Sequence, residues 1–196
     1  MKIVIASNNT GKIKEIKEKL PKFEIVSLKE EGIEIEIEEN GNTYEENALL
    51  KARTIRNITG ECCISDDSGL EIEALPNILG LHTARFMGEN THMVEKMEEI
   101  LKRMEKVPFE QRQASFICCI AICFPNGEEK VFTGECKGYI FDKIEGKGFG
   151  YDPIFYMPKY KKTFGQMEIE LKNKLSHRGI ALEKVENYLH NIKNGI

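Results

Sequence analysis

The stretch Ile64-Ser65-Asp66-Asp67-Ser68-Gly69-Leu70 constrains the fold of this chain more than any other. It is an apolar run that ends on two adjacent carboxylates and a Ser-Gly turn signal, which reads as a buried strand delivering acids to a site. In an open α/β sheet, ligands bind outside the carboxyl ends of the strands. Successive strand residues face opposite ways, so Asp66 and Asp67 cannot both serve one site unless the strand breaks between them; one is expected to be support. Taken alone, Asp-Ser-Gly also fits ordinary turn chemistry, with Asp bonding its own backbone and Gly at positive φ. The meaning of the stretch therefore depends on the segments around it.

The chain has 196 residues, enough for one sizeable core in one domain or a bilobed one. With 41% hydrophobic and 31% charged residues it has the composition of a soluble globular protein. No apolar run approaches the roughly 18 residues of a membrane span, and the opening Lys2-Ile3-Val4-Ile5 is too short for a signal-peptide core. No membrane partner and a cytoplasmic location are expected. The net charge of −4 does not suit affinity won by neutralising a nucleic-acid backbone, so polymeric nucleic acid is not an expected partner. A small anion held by a few local lysines fits better. The six cysteines lie in apolar strand-like runs without a C-x-x-C pair, which argues against a zinc knuckle or a disulfide framework and for reduced, buried thiols.

In chain order, Lys2 to Ser7 reads as a strand, Asn8 to Gly11 as a polar loop, and Ile13, Ile16 and Leu20 recur at helical spacing. A strand, loop and helix in that order offer backbone N–H groups to phosphate, although Asn or Thr as a plain N-cap fits equally well. The segment lacks the P-loop pattern. Phe23 to Leu28 reads as a second strand. Ile33, Ile35 and Ile37 alternate with Glu34, Glu36 and Glu38, the pattern of a half-buried strand with a solvated acidic face. Glu39 falls on the isoleucine parity and is expected to point inward, where it needs a partner such as a metal ion. Thr43-x-x-Glu46 is a capping box opening a helix with Tyr44, Ala48, Ala52 and Ile55 on its apolar stripe. Asn47 and Lys51 share another face of that helix.

After the Asp66-Asp67 strand, Leu70, Ile72 and Ala74 alternate with Glu71 and Glu73, and the chain is expected to pair back or extend the sheet. Patterning assigns nothing to 75–88. A helix is expected from Asn90 or Thr91, with Val94, Met97, Leu101 and Met104 as its core stripe. Asn126-Gly127 between two β-rich runs predicts a long hairpin that should make up most of a second lobe. Gly146 to Pro153 is a glycine-rich loop with two aromatics and an acid, open to a ligand or simply a tight connection. Ser176 reads as the N-cap of a last helix with Ala181, Val185, Tyr188 and Ile192 on one face. That places His177 and Arg178 in a first turn, where the helix dipole disfavours positive charge.

Taken together, the sequence resembles the inosine triphosphate pyrophosphatase family, enzymes that hydrolyse deaminated purine nucleoside triphosphates to the monophosphate and pyrophosphate. The resemblance runs nearly the full length and rests on several motifs in order: Ser7-x-Asn9-x-x-Lys12, Thr43 to Lys51, Ser65 to Leu70, Ala84-Arg85-Phe86, Phe149 to Pro153, and Ser176-His177-Arg178-Gly179. Ser7 stands where many relatives carry Thr, which keeps the hydroxyl. The resemblance implies an α/β fold, an elongated mixed β-sheet forming two lobes flanked by helices with the active cleft between them, over 1–196 as a single bilobed domain. It implies a homodimer acting on a small-molecule nucleotide with Mg²⁺ as cofactor.

Carried over residue by residue, Ser7, Asn9 and Lys12 match the phosphate-contacting loop and Lys51 the helix lysine aimed at the triphosphate. Glu39 and Asp67 match the metal ligands, and Asp67 also the general base. Ser68 matches a substrate contact, and Phe149, Gly150, Tyr151, Asp152, Lys172, His177 and Arg178 match the purine pocket. The expected activity is hydrolysis of ITP, dITP and XTP. The rivals are a related pyrophosphatase acting on pyrimidine or modified nucleotides, a nucleotide sensor without turnover, and an RNA-binding module. The acidic charge fits the last of these poorly.

Overall fold

The computed structural model describes residues 1–88 and 90–194. The described residues form a seven-stranded sheet in the order β2-β1-β3-β4-β5-β6-β7. The strands are β1 (Lys2–Ile5), β2 (Glu24–Ser27), β3 (Cys62–Ile72), β4 (Gln113–Cys123), β5 (Glu129–Ile140), β6 (Phe155–Met157) and β7 (Lys162–Thr163). The helices are α1 (Thr10–Lys19), α2 (Tyr44–Thr59), α3 (Met93–Arg103), α4 (Ile169–Leu175) and α5 (His177–Asn194). The sheet is mixed: β1 pairs parallel with β2 and β3, whereas β6 pairs antiparallel with β5 and β7. The α/β expectation with a mixed sheet is thus met. The chain divides into two compact units, one of residues 1–67, 118–134 and 177–196, the other of 68–117 and 135–176.

In the first unit, strand alternation sorts the core into two faces. Ile3 and Ile5 on β1, Cys62 and Ile64 on β3, and Cys118, Ile120 and Ile122 on β4 pack with Ile16 and Leu20 of α1 and with Ala181, Leu182, Val185 and Leu189 of α5. The opposite parity, Val4 and Cys63, packs with Leu28 and Ile55, while Cys119, Ala121 and Cys123 meet Ala48 and Ala52 of α2. Parallel strands buried on both faces need such continuous apolar runs, which is how the sequence reads. The second unit has its own core, in which Leu70 and Ile72 of β3 and Phe116 of β4 join Met97, Ile100, Met104, Phe155 and Phe164. The cysteines are buried and free, and burial pushes the Cys62 and Cys136 thiols up to about 12.

Several expectations are corrected. Ser68-Gly69 does not turn the chain, because β3 runs unbroken from Cys62 to Ile72. The 33–37 segment is no strand of the sheet: its isoleucines pack onto the Val4 and Leu28 cluster without a ladder partner, so alternation set the faces but not the pairing. The Asn126-Gly127 hairpin is present, with Gly127 at φ 90°, but its tip half, 118–134, belongs to the first unit. The third helix starts at Met93, later than expected, and Val94 is 52% exposed; Met97 and Met104 fill the core as expected, and Ile100 joins them. Ile192 on α5 is also exposed, and Leu189 takes its place.

Candidate active site

Around Asp66 and Asp67 the two faces of the first unit become chemical. Because β3 does not break, the carboxylates keep opposite parity. Asp66 continues the face of Cys62 and Ile64 toward α1 and α5, and Asp67 continues the face of Cys63 and Ser65 toward α2. The contacts follow this parity. Asp66 Oδ2 accepts from Arg178 Nε at 2.8 Å and from the Cys118 thiol at 2.9 Å, while its Oδ1 pairs with Lys12. Asp67 Oδ2 accepts from Asn47 Nδ2 at 3.1 Å, and its Oδ1 from Lys51 Nζ at 3.3 Å.

The two lysines meet at the same backbone atom. Lys51 Nζ donates to the Asp66 carbonyl at 2.8 Å and Lys12 Nζ to that oxygen at 3.3 Å. The end of β3 in this unit is therefore flanked by an ammonium from each side of the sheet. Lys12 is placed by the cap of α1, where Asn9 Oδ1 accepts from the N–H groups of Gly11 and Lys12 at 3.0 and 3.1 Å. Asn9 thus acts as an N-cap, and Ser7 Oγ accepts from the Asn9 amide at 3.2 Å. Lys51 is placed by α2, opened by Thr43, whose hydroxyl accepts from the Glu46 amide at 3.1 Å.

Glu39 does point inward, and its Oε1 pairs with Lys51 Nζ while Glu38 is exposed. The turn after it makes this possible. The Gly41 amide donates to Asn47 Oδ1 at 2.8 Å, and a Cβ on Gly41 would stand 2.7 Å from that oxygen. Only glycine lets the chain come this close to α2 and hand Glu39 to Lys51.

The two aspartates differ in acidity. Burial alone would raise Asp66, but Arg178 and then Lys12 hold it well below the usual carboxylate range. Asp67 is pushed up, chiefly by burial and also by the charge of Glu39, against the pull of Lys51. Lys51 resists burial because Asp67 and Glu39 keep it cationic. Asp66 is thus a fixed anion bonded to cations. Asp67, of the two, has the acidity of a group that can take a proton.

Arg178 lies in the first turn of α5, buried, with Nη1 on Glu15 Oε2 at 2.6 Å as well as Nε on Asp66. Two carboxylates account for a cation at the helix end the dipole disfavours. His177 is buried beside it, and Ser176 precedes the helix with extended backbone, as an N-cap position requires. The remaining sequence-assigned residues, Ser68, Phe149 to Asp152 and Lys172, belong to the second unit. There Asp152 Oδ2 accepts from the Phe149 amide at 2.8 Å and pairs with Lys172 Nζ at 2.7 Å. A Cβ on Gly148 would stand 2.7 Å from Asp152, and Gly150 takes φ 60°, so the glycines close this loop around its acid. Tyr151 is buried with its hydroxyl on the Thr83 carbonyl at 3.2 Å, while Phe149 is 38% exposed.

Sequence reasoning did not assign Glu15, Asn47 or Cys118 to the site. Asn47 was visible as sharing a face with Lys51. Glu15 lies one turn beyond Lys12 on α1, a signal that helical spacing could have supplied. Cys118 gave no local signal, because its contact with Asp66 joins residues far apart in the chain.

A model of the Ham1 family matches residues 3–188 of this sequence. The dITP/XTP pyrophosphatase of Desulforamulus reducens is 44% identical over 195 residues, covering 98% of this chain and 97% of that protein. The dITP/XTP pyrophosphatase of Clostridium perfringens is 44% identical, covering 97% and 98%. The solved structure of the Staphylococcus aureus Ham1 protein superposes with a TM-score of 0.87 at 40% identity, covering 97% of this chain and 99% of that one.

Proposed function

Because the chain belongs to the Ham1 family, we propose that it hydrolyses non-standard purine nucleoside triphosphates, ITP, dITP and XTP, to the monophosphate and pyrophosphate. The observation that carries this reading is the pair of lysines, from opposite sides of the sheet, that converge on the Asp66 carbonyl beside the Asp67 carboxylate, which burial makes more basic than usual. Relatives named dITP/XTP pyrophosphatases support the substrate class.

Phosphoryl and nucleotidyl transfer depend mostly on positioning and electrostatics, so no nucleophilic side chain is required and Ser68 need not be one. Asp67 holds and deprotonates the attacking water, its raised pKa making it a better proton acceptor than an exposed aspartate. Lys12 and Lys51 receive the negative charge that gathers on the departing pyrophosphate. Asp66 keeps both Lys12 and Arg178 in place while taking no proton itself.

Mg²⁺ fits the residues present. Glu39 and Asp67 are two hard oxygen donors that share one ammonium and repel each other, a pair that favours additional positive charge. Among the described residues no three His, Cys, Asp or Glu side chains come together as a ready-made cage. Glu39 and Asp67 would hold the ion, with water and substrate phosphate completing its shell, as is common for Mg²⁺. When bound, it would neutralise phosphate charge and acidify a coordinated water.

Selectivity follows from hydrogen-bond sign. Hypoxanthine and xanthine carry a 6-carbonyl acceptor where adenine has an amino donor, and the Arg178 guanidinium can only donate. A site built on such a bond rejects the mismatched base by roughly 10⁴-fold. The six free thiols suit a reducing cytoplasm, and among the described residues no helix is long and apolar enough to cross a membrane. The homodimer implied by the resemblance is part of the proposal and is checked by light scattering. The deciding experiment is incubation with ITP, XTP, ATP and GTP plus Mg²⁺, with products identified. Release of pyrophosphate from ITP and XTP only is expected, whereas preferential turnover of a pyrimidine or standard purine nucleotide would refute it.

A further inference from the structure

The backbone of β5 at Gly134 lies against the opening turn of α5, both within the first unit. A Cβ built on Gly134 would stand 2.0 Å from the carbonyl oxygen of His177 and 2.7 Å from the amide nitrogen of Ala181. In an α-helix the N–H of residue i+4 donates to the carbonyl of residue i, so these are the two atoms that close the first turn of α5. Gly134 is not among the glycines at positive φ. Its conformation does not demand glycine; the approach of the helix does.

The neighbours in β5 hold the same helix. Lys184 Nζ donates to the Thr133 carbonyl at 2.7 Å, and Phe132 packs with Ala181, Leu182, Val185 and Leu189. The turn seated on Gly134 carries His177 and Arg178, and Arg178 reaches Asp66 and Glu15 at 2.8 and 2.6 Å. We infer that Gly134 is a positioning residue for the reaction: by admitting the His177 carbonyl against the strand backbone, it sets the first turn of α5 where Asp66 and Glu15 receive the guanidinium. This inference rests on the pyrophosphatase reading for its activity readout.

Real Cβ atoms essentially never come under 3.0 Å of such an oxygen, so Gly134→Ala must move the turn and the strand backbone apart by about the difference between 3.0 and 2.0 Å. A misplacement of that size costs on the order of 10²-fold in catalysis even when the mutation lies away from the chemistry. Gly138→Ala is the control, in the same strand. Its Cβ would meet the Phe155 ring and the Tyr156 carbonyl at 2.8 Å, a milder clash with both ring and backbone that does not involve α5.

Both variants are expected to melt earlier than wild type. At a temperature where circular dichroism shows each folded, kcat/KM on ITP should fall on the order of 10²-fold in Gly134→Ala and stay near wild type in Gly138→Ala. Equal losses in the two variants overturn the inference. Should Gly134→Ala not fold, Lys184→Met loosens the same seat without a clash, and hydrogen exchange at the Ala181 amide reports it. Faster exchange with lower kcat/KM supports the inference; unchanged exchange, or faster exchange with unchanged kcat/KM, overturns it. Wild-type protein inert toward ITP would be a failure of the pyrophosphatase reading alone, and the exchange measurement, which needs no substrate, would still test the seat.

Discussion

Asp66→Asn and Asp67→Asn are adjacent, nearly isosteric changes with opposite expected consequences for stability. Both oxygens of Asp66 accept: Oδ2 from Arg178 Nε and Cys118, Oδ1 from Lys12 and, at 3.4 Å, Arg178 Nη2. Asparagine has one acceptor and turns an NH₂ group toward donors, and it removes the anion between the buried Arg178 and the half-buried Lys12. Breaking a buried pair in this way costs about 3–5 kcal/mol. For a chain of this length that is a drop in Tm of roughly 6–20 °C.

Asp67 is different, because burial and Glu39 make its charge costly in the fold. Asparagine there loses about one hydrogen bond, worth about 1 kcal/mol, and relieves that cost, so the metal-free variant should lie within about 1 kcal/mol of wild type or above it. The pH dependence has a definite sign. A depressed carboxylate contributes stability that is full above its unfolded value of about 3.9 and is lost as pH falls through its folded value. The gap between wild type and Asp66→Asn should therefore be full at neutral pH and close in acid. The assay is urea denaturation of the metal-free proteins across pH. Equal destabilisation by the two substitutions, or an Asp66→Asn gap that widens in acid, would refute the division of roles between them.

Three further outcomes are expected. Asp67→Asn should lower turnover of ITP by about 10²–10⁴-fold while nucleotide still binds by calorimetry, and excess chelator should silence wild type reversibly; substantial hydrolysis by the variant would remove Asp67 as base. Glu39→Gln should raise the Mg²⁺ concentration needed for half-maximal rate far more than Glu38→Gln, since only Glu39 faces Lys51; equal effects would discard the inward carboxylate as a metal ligand. Arg178→Ala should reduce kcat/KM sharply on ITP and little on the already poor substrate ATP; proportional losses would mean that Arg178 acts through Asp66 and the fold rather than on the base.

Local pattern alone determined much of this protein. The strands and helices of the first unit, the Thr43 cap, the Asn126-Gly127 turn and the inward parity of Glu39 all follow from periodicities of two and 3.6 and from turn chemistry, which act over a few residues. Period two also required that Asp66 and Asp67 face opposite ways, without saying which partners each would meet. That choice was tertiary. It depended on which face of β3 received α1 and α5 and which received α2, and hence on partners such as Cys118 and Arg178 that lie 52 and 112 residues away from Asp66. The 33–37 segment shows the same limit, since alternation fixes which side chains are buried but not whether the backbone joins a ladder. Gly134 shows it again: nothing near it in the chain calls for glycine, and only the packing of α5 against β5 forbids a Cβ there.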